Sequence, residues 1–335
     1  MEIVNFKNYP AFPLIMGQDT IKVETDATSA NLGPWYDRGG AKLKGLSLVT
    51  IGEKALGNGL IIKSEGKYPV PTDESNLAYR VAGKMFEDYG IKDGLSLKFI
   101  NNIKSGGLGT SGAGAVAVVE VINYLYDLKL SDQQKIKYAA LGEPGNHLDN
   151  VVPCVVGGIV LSSRLEGEEL PKYLKLNAPT NVVPAVVIPL GIIKEGGTAK
   201  AKEALESLRL TNPELVYASS LAESMIAGFI GDDFESIRES IAAYSLWPKS
   251  VTWVRNSAGV YKINVRSFNF GLERLVGKEA IVTPSGAGPA MLILARYPDV
   301  AKRASDLVVK IYQAQGYEAI GMVTSFNNEP SRIIQ

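Results

Sequence analysis

Between Ile103 and Gly114 the chain reads IKSGGLGTSGAG, with five glycines separated mainly by small or hydroxylated residues. Each glycine weakens local structure unless the backbone must come close to something. Three uses compete for such a stretch. It can be a tight strand-to-helix turn. Gly107, Gly109 and Gly112 also satisfy the G-x-G-x-x-G spacing of a dinucleotide-binding turn. The second strand with an acidic end that such a site needs about 20 residues on is poorly represented, because SDQQKIKYAALGEPG reads as a helix. Third, successive bare N–H groups at a helix start can cradle a triphosphate, with the helix dipole favouring the anion. Thr110 and Ser111 would add hydroxyls that reach phosphate oxygens or a metal. The GK[ST] ending of a P-loop is absent.

A second group of reactive side chains stands in GEPGNHLDN, which carries Glu143, Asp149, Asn150 and the chain's one histidine, His147. Alone, a histidine is as readily a packed or surface residue as a catalyst. Cys154 follows in the apolar run VVPCVVGGIVL and reads as a core residue on a strand; as the only cysteine it rules out an intrachain disulfide or a zinc cluster.

The elements around these residues are mixed. LSLKFINNI before the glycines reads as a strand, and AGAVAVVEVINYLYDLKL after them as a helix. DESNLAYRVAGKMFEDYG reads as a helix capped by Asp73 or Ser75 and stopped by Gly90. VVPAVVIP reads as a buried strand, followed by helices at TAKAKEALESL, PELVYASSLAESMIAGFI and DFESIRESIAAY, and by strands around GVYKINV and AIVTPSGAGPAMLILA. The pattern is α+β in two halves, with the charged, proline-punctuated SRLEGEELPKYLKLNAPTN as the junction. This gives an N-terminal extension over 1–20, a first domain over 21–165 and a second over 166–335. At 335 residues, 46% hydrophobic, there is material for two domains. Lys+Arg and Asp+Glu both total 35, so no basic stripe points to nucleic acid or a membrane surface. The start does not read as a signal peptide, and the composition fits a reduced, cytoplasmic compartment.

The glycine stretch resembles a known motif. GGLGTSGAGA is similar to the P-x-x-x-G-L-G-S-S-A-A motif of the GHMP kinases, with Thr110-Ser111 in the usual Ser-Ser place and the upstream proline missing. ATSANLGPWYD, from Ala27 to Asp37, resembles the N-terminal motif in its homoserine-kinase form, A-T-S-A-N-L-G-P-G-F-D. SGAGPA, from Ser285 to Ala290, resembles the C-terminal loop that packs against the phosphate loop, so Ser285, Gly286 and Gly288 would support it. GNHLDNVVPCVVGG is similar to G-H-P-D-N-V-A-P-x-x-x-G-G of homoserine kinases. The resemblance implies a two-domain GHMP-kinase fold, with an N-terminal half like ribosomal protein S5 domain 2 and a ferredoxin-like C-terminal half. It implies ATP along Ser105, Gly106, Gly107, Leu108, Gly109, Thr110, Ser111 and Gly112, with Asn76 near the adenine. Mg²⁺ would sit on Glu143 with Ser111 or Thr110, since one carboxylate, one hydroxyl and two phosphate oxygens suffice for it; otherwise Glu143 is a solvated acid at a helix end. Catalysis would fall to His147, Asn150 and Glu143. The acceptor would meet Asn31, Asp37, His147 and Thr198. A homodimer is the assembly the resemblance suggests.

The match fails in places. Lys202 replaces the arginine expected four residues after Thr198, and a point charge is not a planar fork. For the second arginine, YSLWPKSVTWVR offers only Lys249 or Arg255. Trp35 and Tyr36 replace Gly-Phe and put two aromatics beside the acceptor, unless Trp35 only fills core volume. Phosphorylation of homoserine is the activity the resemblance implies. The alternatives are another small alcohol such as a mevalonate derivative, a polyol or another hydroxy acid, then a family decarboxylase or a non-catalytic nucleotide-binding paralogue.

Overall fold

The structure is a computed structural model, and it describes residues 20–57, 59–143, 147–163, 168–191, 208–252, 254 and 265–334. Nearly all of the proposed N-terminal extension, the TAKAKEALESL helix, Thr198, Lys202 and Arg255 lie outside the described residues.

The first half is a seven-stranded sheet in the order β11-β1-β2-β4-β3, with β5 on the other end of β2 and β6 beyond β5. β1 (Ile21–Ala30) begins with alternating burial, as a strand with one wet face should, and ends fully buried over Ala27–Ala30 where both faces are covered. Its register against β2 (Gly39–Ala55) shifts between Asp26 and Thr28, a bulge of the kind that re-aims side chains beside a site. β3 (Leu60–Glu65) and β4 (Gly94–Asn101) pair in parallel at the far edge.

Four helices cover this sheet. α1 (Leu77–Tyr89) starts at Asn76, whose side chain accepts from Ala78 N, and not at Asp73 or Ser75; Gly90 ends it in the left-handed conformation, as anticipated. α2 (Thr110–Leu125) follows the glycines and is buried on nearly all sides, which explains its lack of an amphipathic stripe. α3 (Asp132–Ala140) is closed by a capping box between Ser131 and Gln134. Cys154 lies in a short helix, α4 (Val151–Val156), and not in a strand. Pro153 explains this: it cannot donate to a sheet ladder but fits a first helical turn. The strand begins only after Gly157 and Gly158, as β5 (Ile159–Ser163).

β6 (Lys172–Leu176) still pairs with β5, and the chain enters a second sheet only at β7 (Val183–Pro189). From there run α5 (Asn212–Ile230), α6 (Phe234–Leu246), α7 (Val265–Val276), β8 (Ala280–Pro284), β9 (Met291–Ala295), α8 (Pro298–Ala314) and β10 (Ala319–Val323). Of the strand expected at GVYKINV, residues 259–264 are outside the described set and Val265 opens α7. The sheet order β10-β7-β9-β8, all antiparallel, is that of a ferredoxin-like unit with extra helices in its first crossover. The tail then returns to the first sheet, where β11 (Arg332–Ile334) pairs with β1.

Candidate active site

Four segments meet at the N-terminus of α2. Gly109 precedes the helix at φ 64° with no side-chain cap, so the first-turn N–H groups have no side-chain acceptor. By contrast, α1 and α3 are each capped by a side chain. A Cβ at Gly109 would stand 1.9 Å from Thr28 Oγ1 and 2.8 Å from Asn150 Oδ1. One at Gly107 would stand 2.2 Å from the Ser285 carbonyl. The glycines are therefore required first by neighbouring protein, which crosses the turn at backbone distance.

Those crossings are tied by hydrogen bonds. Thr28 N donates to the Leu108 carbonyl (3.1 Å), and Ala290 N donates to the Gly106 carbonyl (3.0 Å). Ser285 Oγ contacts both the Gly107 carbonyl (2.5 Å) and Ser29 Oγ (2.8 Å), while Gly286 N donates to Ala30 O (2.8 Å). Gly288 N closes the same loop on Ser285 O (2.8 Å). The segment Ser285–Gly288 thus clamps the glycine turn to the end of β1. Ser105 is exposed ahead of the turn, Thr110 Oγ1 reaches back to Ile103 O (3.4 Å), and Ser111 and Gly112 lie in the first turn of α2.

Glu143 follows α3 and is 7% exposed. Burial raises its pKa, partly offset by a hydrogen bond from Ser111 and by the charges of His147 and Arg80. Its Oε1 is buried without a hydrogen-bond partner. A desolvated carboxylate oxygen beside a hydroxyl, at the mouth of an uncapped helix, is the donor set a hard divalent cation takes. Asn150 stands before α4, where Thr28 Oγ1 donates to its Oδ1 at 2.8 Å. Thr28 lies just past the register shift, where the extra residues are on β2.

On the other side lies the loop after β1. Asn31 and Asp37 both take left-handed backbone (φ 57° and 54°), and Asn31 Oδ1 accepts from Asp37 N at 2.7 Å. Asp37 Oδ1 lies 3.4 Å from His147 Nδ1, each about one-third exposed; the partner is His147 and not Arg38. Such strained conformations cluster at functional sites. Asp149 is 2% exposed and its Oδ1 has no partner. Burial, then the charges of Asp37 and Glu143, push its carboxyl up to about 7.

The structure therefore brings together Asn31, Asp37, Glu143, His147, Asn150 and the turn residues. Asn76 has its amide committed to Pro71 O (2.6 Å) and Ala78 N (2.9 Å), both as donor and as acceptor. Lys249 is held by Glu214 (2.8 Å) and the Arg209 carbonyl (3.2 Å). Trp35 is 2% exposed and packs into the core beside α5. Sequence reading missed Thr28 and Asp149 as parts of the site, although both stood inside motifs it had marked. Among the described residues no group of three or more His, Cys, Asp or Glu gathers as a metal cluster, and no helix is long and apolar enough to cross a membrane.

Comparison with known proteins agrees with this geometry. The profile described as GHMP kinases N terminal domain matches residues 76–158. A homoserine kinase of Methanopyrus kandleri is 32% identical over 80% of this chain and 85% of its own length. One of Methanococcus vannielii is 40% identical, over 50% of this chain and 57% of its own length. The fold matches the crystal structure of a homoserine kinase from Cytophaga hutchinsonii with a TM-score of 0.80 at 23% identity, covering 97% of this chain and all of that one. From the bare helix start, the clamp that crosses it and relatives that align along most of its length, the chain belongs to the GHMP kinase family.

Proposed function

We propose that the protein is a homoserine kinase, which transfers the γ-phosphate of ATP to the side-chain hydroxyl of homoserine. The observation that carries this reading is one convergence: an uncapped helix start, the unpartnered Glu143 oxygen beside Ser111, and the Asp37–His147 pair across from them. The charges sort themselves. The carboxylates of Asp37 and Glu143 would repel a polyphosphate, and a cation between them and the phosphates would offset this. Glu143 and Ser111 would hold Mg²⁺, which when bound spreads the phosphate charge that develops during transfer. Asp37 then remains for a positive group on the acceptor, and homoserine carries an ammonium.

The turn residues Gly106 to Gly112 would hold the phosphates on main-chain N–H groups. Asn150, fixed by Thr28, would orient the acceptor hydroxyl in line with the γ-phosphorus. Its amide cannot accept the proton as a base does, so the proton leaves with the transferred phosphate or to solvent. The new O–P bond forms as the bond to the β-phosphate oxygen breaks and ADP departs. Positioning and charge neutralisation supply most of the rate in such a loose transition state. Thr198 and Lys202 remain the candidates for the acceptor carboxylate. We also propose a domain division between Leu176 and Val183 and a cytoplasmic homodimer, which sedimentation velocity tests.

The activity is tested by incubating the protein with MgATP and L-homoserine and following ³¹P NMR. The proposal expects ADP and a phosphomonoester of homoserine in equal amounts. Turnover of a mevalonate derivative, threonine or a polyol instead, or release of CO₂, would replace the acceptor. ATP binding with no transfer to any of these would make the protein a nucleotide-binding paralogue.

A further inference from the structure

The loop that carries Asn31 and Asp37 closes on the main chain of a residue whose side chain the resembling motif does not have. Trp35 stands where that motif has glycine. Its carbonyl accepts from Arg38 N (3.1 Å) and Gly39 N (2.9 Å), and its own N–H reaches Leu32 O (3.1 Å). Both ends of the turn therefore close on Trp35. The fit is tight enough that a Cβ at Gly39 would lie 2.6 Å from Trp35 Cβ.

The indole leaves this loop and enters the second half of the molecule. Its Nε1–H donates to the Ala222 carbonyl of α5 at 3.1 Å, and its ring lies 5.2 Å from that of Phe229 on the same helix. α5 packs along α6, with Gly228 against Ile237, Tyr217 against Trp247 and Glu214 on Lys249, and it meets the loop through Met225, Phe229 and the Ala222 carbonyl. Beside the indole the packing is open. A cavity of about 390 Å³ lies between Trp35, Arg38, Tyr173, Ala222 and Ile226. The loop and α5 thus meet at the indole beside this hollow, while Gly33 packs on Ile241 of α6.

We infer that Trp35 is a positioning residue for the acceptor site: through its ring and its Nε1–H it couples α5 to the loop that aims Asp37 at His147. The inference rests on the assignment of Asn31 and Asp37 to the acceptor, and it adds a determinant in the second half of the chain. Trimming the ring removes the loop's hydrogen bond to α5 and its contact with Phe229 together. The glycine turn is anchored separately, by Thr28 and Ser285, so nucleotide affinity should not follow.

The test compares Trp35→Phe, Trp35→Gly and Asp37→Asn by steady-state kinetics with MgATP and L-homoserine, with thermal melts as a control of folding. Trp35→Phe keeps a ring and loses one hydrogen bond, so KM for the acceptor should rise about 5-fold while KM for MgATP stays put. Trp35→Gly should raise acceptor KM further in the same direction. If it does not fold, Trp35→Phe alone decides. A fall in kcat with both KM values unchanged, or equal changes in both, would overturn the inference and leave Trp35 as filling. Asp37→Asn separates the layers: if it too leaves acceptor KM unchanged, the acceptor assignment itself fails.

Discussion

The two sides of the site are built from different material. Around the glycine turn the clamping contacts involve the main chain: Leu108 O, Gly106 O and Gly107 O receive donors from Thr28, Ala290 and Ser285. The proposed acceptor side rests on side-chain charge, with Asp37 against His147. A main-chain cradle offers fixed dipoles that suit any polyphosphate, and it fails when a Cβ intrudes. A charged pocket tolerates small changes of shape and fails when a charge is removed. On the proposed reading, the glycine turn would serve any nucleoside triphosphate, and the Asp37 side would select the acceptor.

The comparison is broken most severely at the turn. Gly109→Ala puts a methyl on Thr28 Oγ1 at a left-handed position. It should lower kcat/KM for MgATP by more than about 100-fold, measured by coupled ADP release, although it adds only one carbon. Glu143→Gln keeps the shape and removes the charge. It should cost roughly 10- to 100-fold in activity, with the Mg²⁺ titration curve moved to higher concentration. Asp37→Asn should raise KM for the acceptor about 10-fold and leave that for MgATP alone, which sharpens the division between the two sides.

The smallest effect is on stability. Asp149 is held protonated up to about 7, above the ordinary carboxyl value of 3.8, by burial and by Asp37 and Glu143. As pH rises from about 4 to 7 the unfolded chain gives up this proton and the folded chain keeps it, so stability falls over that window. Glu143, shifted in the same direction by burial, adds to the fall. Asp149→Asn keeps acceptors for the two backbone N–H groups and removes the charge. The ligand-free variant should melt about 3 °C or more above the parent at pH 8 and level with it at pH 4.

Much of the fold was legible because its signals are local. Gly90 stops α1 where the sequence places a stop, and the two strands of AIVTPSGAGPAMLILA flank a turn as read. Cys154 was misplaced because an apolar run of strand length can also be a buried helix, and Pro153 was the overlooked discriminator. β6 was not legible because charge and proline mark loops, and a polar edge strand with exposed Lys172, Leu174 and Lys175 looks like one. At the site, residue types announced Asp37 and Glu143. Thr28 was hidden because it stands beside a register shift against β2 and bonds a partner 122 residues away. Trp35 was hidden for a like reason, since only the folded chain shows Ala222 waiting for its N–H. The glycines were read as clearance for a ligand, whereas the nearest clearance they provide is for Ser285, Thr28 and Asn150.

The central claim is that main-chain N–H groups at the start of α2 hold the nucleotide's phosphates. Amide NMR of the ¹⁵N-labelled protein, titrated with MgADP, tests it directly. The account predicts that the amides of Gly106 to Gly112 shift most and saturate together with nucleotide binding. Saturable binding that leaves those amides where they were, and moves another cleft instead, would contradict it.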